Sequence, residues 1–378
     1  MPFKQSHNIA VAFVFAAGIC LLQPHTATAQ TSENWPSPRE GDYVAKDFHF
    51  KDGSSLPELR LHYRVLGQPH RGPDGHVDNA VMVLHGTGGS GANFLNPRFA
   101  GVLFVPGGLL DAQKYFIILP DDIGHGKSSK PSDGMHARFP HYEYDDMVSA
   151  EHLVATKALG VDHLRLIMGT SMGCMHTWMW GEDYPGEADA LMPLACMPVQ
   201  IAGRNRVTRK MAIDAIQTDP GWMNGEYKTQ PRGLKTAIDI LMIMGSAPLQ
   251  MQKLYPTRDE ADQYLEKTQA SYMNTLDAND FLYQFDSSRN YDPSQDLEKI
   301  RVPVMAVNSA DDFINPPELG IVPREIKRVA KGKFVVLPIT DETRGHGTHS
   351  LPAIWSPYLA ELLKKSQPRE ATAQQGTH

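Results

Sequence analysis

Gly169-Thr170-Ser171-Met172-Gly173 is the segment of this sequence best able to do chemistry. A serine with glycine two positions away on each side suits a turn so tight that a neighbouring side chain would collide. Its hydroxyl then stands clear as a nucleophile. The apolar run 164–168 precedes the turn and helix-compatible residues 174–180 follow it. This strand-turn-helix context places Ser171 above a helix N-terminus, which favours developing negative charge. A serine of this kind needs a base within hydrogen-bond reach and a carboxylate to orient that base.

Both partners follow in the chain, in the order nucleophile, acid, histidine. After the apolar run 302–307 comes Ser309-Ala310-Asp311-Asp312-Phe313-Ile314-Asn315-Pro316-Pro317. An acid at the carboxyl end of a sheet strand faces the crevice where ligands bind. Spacing to the proline pair selects Asp312, leaving Asp311 as a loop residue or helix cap. After the run 334–337 comes Gly345-His346-Gly347-Thr348-His349. His346, flanked by glycines, is the expected base; the competitor His349 otherwise opens the last helix. An oxyanion needs two backbone donors. One is the amide of Met172. The other comes from the glycine-rich loop 85–91, at Thr87 or Gly88. His125 precedes the nucleophile, breaks the order, and reads as part of a turn.

The elements that must position these groups are legible as short apolar runs at 80–84, 115–119, 164–168, 190–196, 302–307 and 334–337. Helical segments at 144–159, 323–330 and 351–363 separate some of them. Continuous apolar strands punctuated by helices indicate a mostly parallel sheet covered on both faces. Two further strand-like runs lie between residues 42 and 67, around the turn Asp52-Gly53-Ser54-Ser55. Residues 198–296 show no convincing strand. Helical pieces at 206–216, 234–244 and 259–274 read as a lid inserted between two sheet strands. Met211, Met242, Met244 and Met251 are packing residues or the lining of an adaptable apolar pocket. The expected organisation is a leader over 1–29, a core over 30–198, a helical lid over 199–296, the rest of the core over 297–366, and a polar tail over 367–378.

Composition narrows the function. The 378 residues are 41% hydrophobic, enough for one large core, and the net charge is −7. No basic run marks a nucleic-acid surface, and no histidine or cysteine cluster has metal-ligand spacing. The expectation is no metal, no cofactor and no nucleic-acid partner. Lys4, the apolar stretch 9–22 and Ala27-Thr28-Ala29 form an export signal, implying a secreted or periplasmic protein without stable membrane insertion. Of the three cysteines, Cys174 and Cys196 remain after its removal and read as buried, as free thiols ahead of the alternative of a disulfide.

With these residues the chain resembles the homoserine O-acetyltransferase-like branch of the α/β-hydrolase superfamily. The resemblance spans residues 148–198, the segment 209–227 with Asp219-Pro220 and Gly225-Glu226-Tyr227, Gly233-Leu234, residues 312–317 and Gly345-His346. It implies an α/β-hydrolase fold with Ser171, Asp312 and His346 as the triad. In that family the serine takes an acetyl group from acetyl-CoA and passes it to homoserine. Here Thr170 and Cys174 stand where the family usually has glycine. Ala237-Ile238 replaces an Ala-Arg pair, so a cation for the homoserine carboxylate must come from elsewhere, with Arg204 and Arg206 as candidates. Acetyl-CoA and homoserine are cytosolic, whereas the leader exports the chain. Hydrolysis of a small-molecule acyl substrate is therefore the first expectation, acyl transfer the second, and a binding protein on a hydrolase scaffold the third. The sequence leaves a homodimer open.

Overall fold

The structure, a computed structural model, describes residues 34–73, 75–366 and 368. The expected leader, and the expected tail apart from Pro368, lie outside the described residues.

Two long strands, β1 (Arg39–His49) and β2 (Ser55–Leu66), form an antiparallel hairpin. Asp52 makes its turn by accepting from the Ser54 amide at 2.8 Å, with Gly53 at φ +88°. The other strands are β3 (Ala80–Leu84), β4 (Phe116–Pro120), β5 (Leu166–Thr170), β6 (Leu191–Leu194), β7 (Val304–Ser309) and β8 (Gly332–Leu337). They pair in parallel, and the full order is β1-β2-β4-β3-β5-β6-β7-β8. Successive side chains on a strand point to opposite faces. On β3, Ala80, Met82 and Leu84 enter one core while Val81 and Val83 enter the other. That double burial is why the strands read as unbroken apolar runs.

The single turn α1 (Ala100–Leu103) and the C-terminal helix α10 (Pro352–Lys365) contribute to one core. Helices α2 (Tyr144–Leu153) and α3 (Met172–Asp183) contribute to the other. The expected helix 144–159 ends early as an α-helix and continues as one wider π turn over Val154–Ala158. Strand β5 begins two residues later than expected, because Leu164 pairs instead with Ala188 in an isolated bridge. The expected helix 323–330 is a short α9 (Ile321–Glu325) followed by one 3₁₀ turn.

Between β6 and β7 the described chain forms α4 (Gly203–Gln217), α5 (Arg232–Gly245), α6 (Pro248–Leu254), α7 (Arg258–Thr275) and α8 (Ala278–Asp286). Asp219 joins the first two, accepting from the amides of Gly221 and Gly233 at 2.8 and 2.6 Å. A Cβ on Gly233 would lie 2.0 Å from the Ala215 carbonyl, so only glycine allows this crossing. Helix α8 ties the insertion to the core. Asp280 accepts from the amide and hydroxyl of Ser132, and Tyr283 donates to the carbonyls of Ala137 and Phe139.

One expectation is corrected. Cys174, in α3, and Cys196, just beyond β6, form a disulfide with Cα atoms 5.9 Å apart. Both residues are buried, as a free-thiol reading also requires. Only the fold shows that the helix after the serine lies against the end of the next strand. A loop of this length predicts a contribution of about 3 kcal/mol. Reduction, or Cys196→Ser, lowers stability to chemical denaturation by roughly 2–4 kcal/mol, and non-reducing peptide mapping recovers the linked pair.

Beneath the sheet, Asp122, Glu151 and His176 form a fully buried cluster whose facing atoms lie within 4.8 Å of one another. His176 Nδ1 and Trp180 Nε1 donate to Glu151 at 2.7 and 2.6 Å. Burial pushes Glu151 up to about 7, and burial and Glu151 together push Asp122 well above the carboxylate range. A carboxyl that keeps its proton when folded stabilises the fold fully only below its unfolded pKa. As pH rises from 4.5 to about 7, the unfolded chain releases that proton while the folded chain holds it, so stability falls. Glu151→Gln flattens that slope in urea titrations between these pH values.

Candidate active site

The turn after β5 is forced by two contacts that exclude side chains. A Cβ on Gly169 would lie 2.0 Å from the Gly173 carbonyl, and one on Gly173 would lie 2.2 Å from the Leu84 carbonyl. Between them Ser171 adopts φ +54°, ψ −106°, a backbone region that a non-glycine residue occupies only under constraint. Strand β5 thus hands directly to α3, and the hydroxyl is presented at the sheet's carboxyl edge.

His346 Nε2 lies 2.8 Å from Ser171 Oγ, and His346 Nδ1 lies 3.1 and 3.0 Å from the two oxygens of Asp312. The structure thus brings three residues spread over 175 positions of sequence into one hydrogen-bonded chain. Asp312 is buried, and its Oδ1 also accepts from the amides of Ile314 and Asn315 at 2.8 and 3.1 Å. Burial alone would raise its pKa. The adjacent His346 charge and these hydrogen bonds outweigh that and hold it below the usual carboxylate range. Asp312 is therefore an anion placed to orient and stabilise an imidazolium.

Its neighbour Asp311 braces the histidine loop. Asp311 Oδ2 accepts from the Gly345 amide at 3.0 Å, one residue before His346, and Asp311 Oδ1 accepts from Ser309. His349 packs edge-on to His346, with ring centroids 5.0 Å apart, and its Nδ1 is hydrogen-bonded to Ser350 Oγ at 2.9 Å. Burial first, then the neighbouring His346, push its pKa down to about 3, so it stays neutral beside the relay.

The loop after β3 supplies the oxyanion side. The amides of Thr87 and Met172 have no acceptor within the described protein, so both are available to a ligand. His85 pins this loop: its Nδ1 donates to the Gly86 carbonyl at 2.9 Å while Nε2 accepts from the Asp122 amide at 3.2 Å. A Cβ on Gly86 would press on Ser171 Cβ at 3.3 Å, so glycine keeps the nucleophile accessible. His125 is buried elsewhere, donating to the Ile123 carbonyl as part of its turn.

Ser171 and His346 open into a cavity of about 270 Å³. Its walls include Phe94, Phe99, Leu241, Met244 and Phe285. Of the four methionines considered from sequence, Met244 lines it, while Met211 is exposed. Arg204 and Arg206 do not line this cavity, which corrects the sequence expectation. Arg204 stacks on the Phe313 ring at 3.7 Å, donates to the Phe313 carbonyl, and borders a neighbouring groove. The cation in the wall is Arg209, which lies on the buried stripe of α4 with Ala212, Ile213 and Ile216. Helical spacing alone marks it as inward-facing. Ile238 is wholly buried in the core.

With this geometry in hand, likeness to known proteins can be weighed. A family profile described as "alpha/beta hydrolase fold" matches residues 79–342. A homoserine O-acetyltransferase of Moorella thermoacetica is 29% identical over 363 residues, covering 83% of this chain and 94% of the relative. The crystal structure of homoserine O-acetyltransferase from Bacillus anthracis superposes with TM-score 0.76 at 19% identity, over 88% of this chain and 99% of that one. An acetylester hydrolase from Corynebacterium glutamicum shares the fold with TM-score 0.73 at 18% identity, over 86% and 96% of the two chains. An eight-stranded sheet carrying a serine at a sharp strand-helix turn, together with these matches, places the chain in the α/β-hydrolase family, in its homoserine O-acetyltransferase-like branch, as an enzyme of the serine α/β-hydrolase type.

Proposed function

We propose that this enzyme is an O-acyltransferase that carries a small acyl group on Ser171 and delivers it to a hydroxyl acceptor. The observation that carries the reading is the continuous relay of Ser171, His346 and Asp312, at 2.8 Å and 3.0 Å, beside two unengaged backbone amides. Relatives named homoserine O-acetyltransferase across more than four-fifths of the chain support transfer over simple hydrolysis.

The steps follow from the geometry. Ser171 Oγ attacks the acyl carbon of the donor while its proton passes to His346 Nε2. The amides of Met172 and Thr87 hold the oxyanion, and Asp312 stabilises the imidazolium. The tetrahedral intermediate then expels the donor's alcohol or thiol, which leaves with the proton from His346. In the second half His346 takes the proton of the acceptor hydroxyl as its oxygen attacks the acyl carbon; the bond from that carbon to Ser171 Oγ then breaks, and His346 returns the proton to Oγ. The largely apolar cavity of about 270 Å³ limits both partners to small groups.

Hydrolysis is the second reading, with water replacing the alcohol in the last step. The shared fold of an acetylester hydrolase supports it. We further propose export of the mature chain from Gln30. The Cys174–Cys196 bridge supports this, since disulfides persist in oxidising compartments.

Three outcomes test these readings. Incubation with a small acyl donor adds one acyl mass to Ser171, and Ser171→Ala abolishes the adduct and lowers turnover on the order of a millionfold. Addition of a small alcohol to the trapped acyl-enzyme yields the new ester faster than water yields the free acid; the reverse order establishes hydrolysis. N-terminal sequencing of the exported protein from a bacterial host begins at Gln30.

A further inference from the structure

Three arginines are buried among the described residues: Arg64, Arg165 and Arg209. Two face a carboxylate. Arg64 pairs with Asp121 at 2.7 Å and Glu40 at 3.1 Å, and Arg165 lies 4.0 Å from Asp189 and donates to Ser366 and Leu363. Arg209 has no carboxylate partner. Its Nε donates to Asn205 Oδ1 at 3.0 Å and its Nη1 to Ser288 Oγ at 3.2 Å, and the Tyr144 hydroxyl lies beside the guanidinium. The charge of Arg206 acts on it as a repulsion. An unpaired buried cation costs several kcal/mol, and such a cost persists where the missing anion arrives with a ligand.

The surroundings fit an anion. Arg209 lines the same cavity as Ser171 and His346. The Tyr144 hydroxyl lies close to Arg209, Thr87 and Ser288, and is buried without a hydrogen bond of proper geometry. The Thr87 hydroxyl is likewise buried and unpartnered. A guanidinium flanked by unsatisfied hydroxyls offers a planar donor set that matches carboxylate oxygens. Phe285 covers the guanidinium at 5.4 Å and limits its hydration.

We propose that Arg209, with Tyr144 and Thr87, is a receptor for a carboxylate on the substrate, so that the enzyme selects small acyl donors or acceptors bearing a negative charge. This rests on reading the Ser171 cavity as the acyl-transfer site. Arg209 is placed to hold the substrate, leaving proton transfer to His346. Arg209 comes from α4, in the insertion between β6 and β7.

Calorimetric titration of the Ser171→Ala protein tests the proposal with two pairs. Monomethyl succinate against dimethyl succinate puts the charge on the acyl group; 4-hydroxybutanoate against 4-hydroxybutanamide puts it on the acceptor. The anionic member of at least one pair binds tenfold or more tightly than its neutral partner, and the pair showing this identifies which half of the substrate is charged. Adding Arg209→Met removes the preference, and Arg209→Lys retains part of it. Thermal unfolding of Arg209→Met is at or above the parent, because an uncompensated charge has gone, and the preferred anion no longer raises its Tm. Equal or undetectable binding of both members in both pairs overturns the proposal, as does a preference that survives Arg209→Met. Should that variant not fold, Tyr144→Phe must weaken the anion's binding and leave the neutral compound's unchanged, or the proposal fails. Absence of an acyl adduct on Ser171 alongside an intact anion preference would instead sink the acyl-transfer reading and leave this one standing.

Discussion

The sharp reversal at Ser171 is the constraint on which the rest of the site depends. A β-strand and an α-helix meet there with no connecting loop. Their backbones approach so closely that Gly169 faces the Gly173 carbonyl and Gly173 faces the Leu84 carbonyl with no space for a methyl group. The serine pays in backbone strain, at φ +54°. In return its hydroxyl projects from the sheet edge, and the Met172 amide opens the following helix without an acceptor. The strain is sustained because buried strands β3, β5 and β6 hold the turn from three sides, through Gly173 N to His85 O and Ser171 N to Leu194 O at 2.9 Å each. The disulfide adds a covalent tie between α3 and the chain leaving β6. A turn that cannot relax keeps the nucleophile within reach of His346.

Buried polarity is handled in three distinct ways around this turn. Asp312 is ionised and compensated by His346 and two backbone amides, which makes it an orienting charge. Asp122 and Glu151 lie deeper, beside His85 and His176, and are held towards their protonated forms by burial. That network supports the loop carrying Thr87, because His85 bridges the Asp122 amide and the Gly86 carbonyl. Arg209 alone has neither a carboxylate partner nor a neutral form within ordinary pH. Its charge is therefore not balanced by a carboxylate of the scaffold.

The helices between β6 and β7 give the cavity its particular character. The fold is shared with a homoserine O-acetyltransferase and an acetylester hydrolase, and Leu241, Met244, Phe285 and Arg209 all come from the insertion. A common scaffold holds the serine turn, and the insertion shapes the cavity in front of it.

Sequence alone was sufficient for features governed by local rules. Double burial makes strands apolar throughout, a side-chain-free turn demands glycine on both sides of Ser171, and the order of nucleophile, acid and histidine distinguishes His346 from His125. The sequence reading named Arg204 and Arg206 and passed over Arg209, because nothing local distinguishes an arginine at the surface from one that meets a carboxylate or a cavity. The pairing of Cys174 with Cys196, the bracing of Gly345 by Asp311, and the place of Arg209 in the wall of the Ser171 cavity each join segments distant along the chain. Only tertiary packing decided them, because whether a buried group finds a partner depends on what other elements bring alongside it.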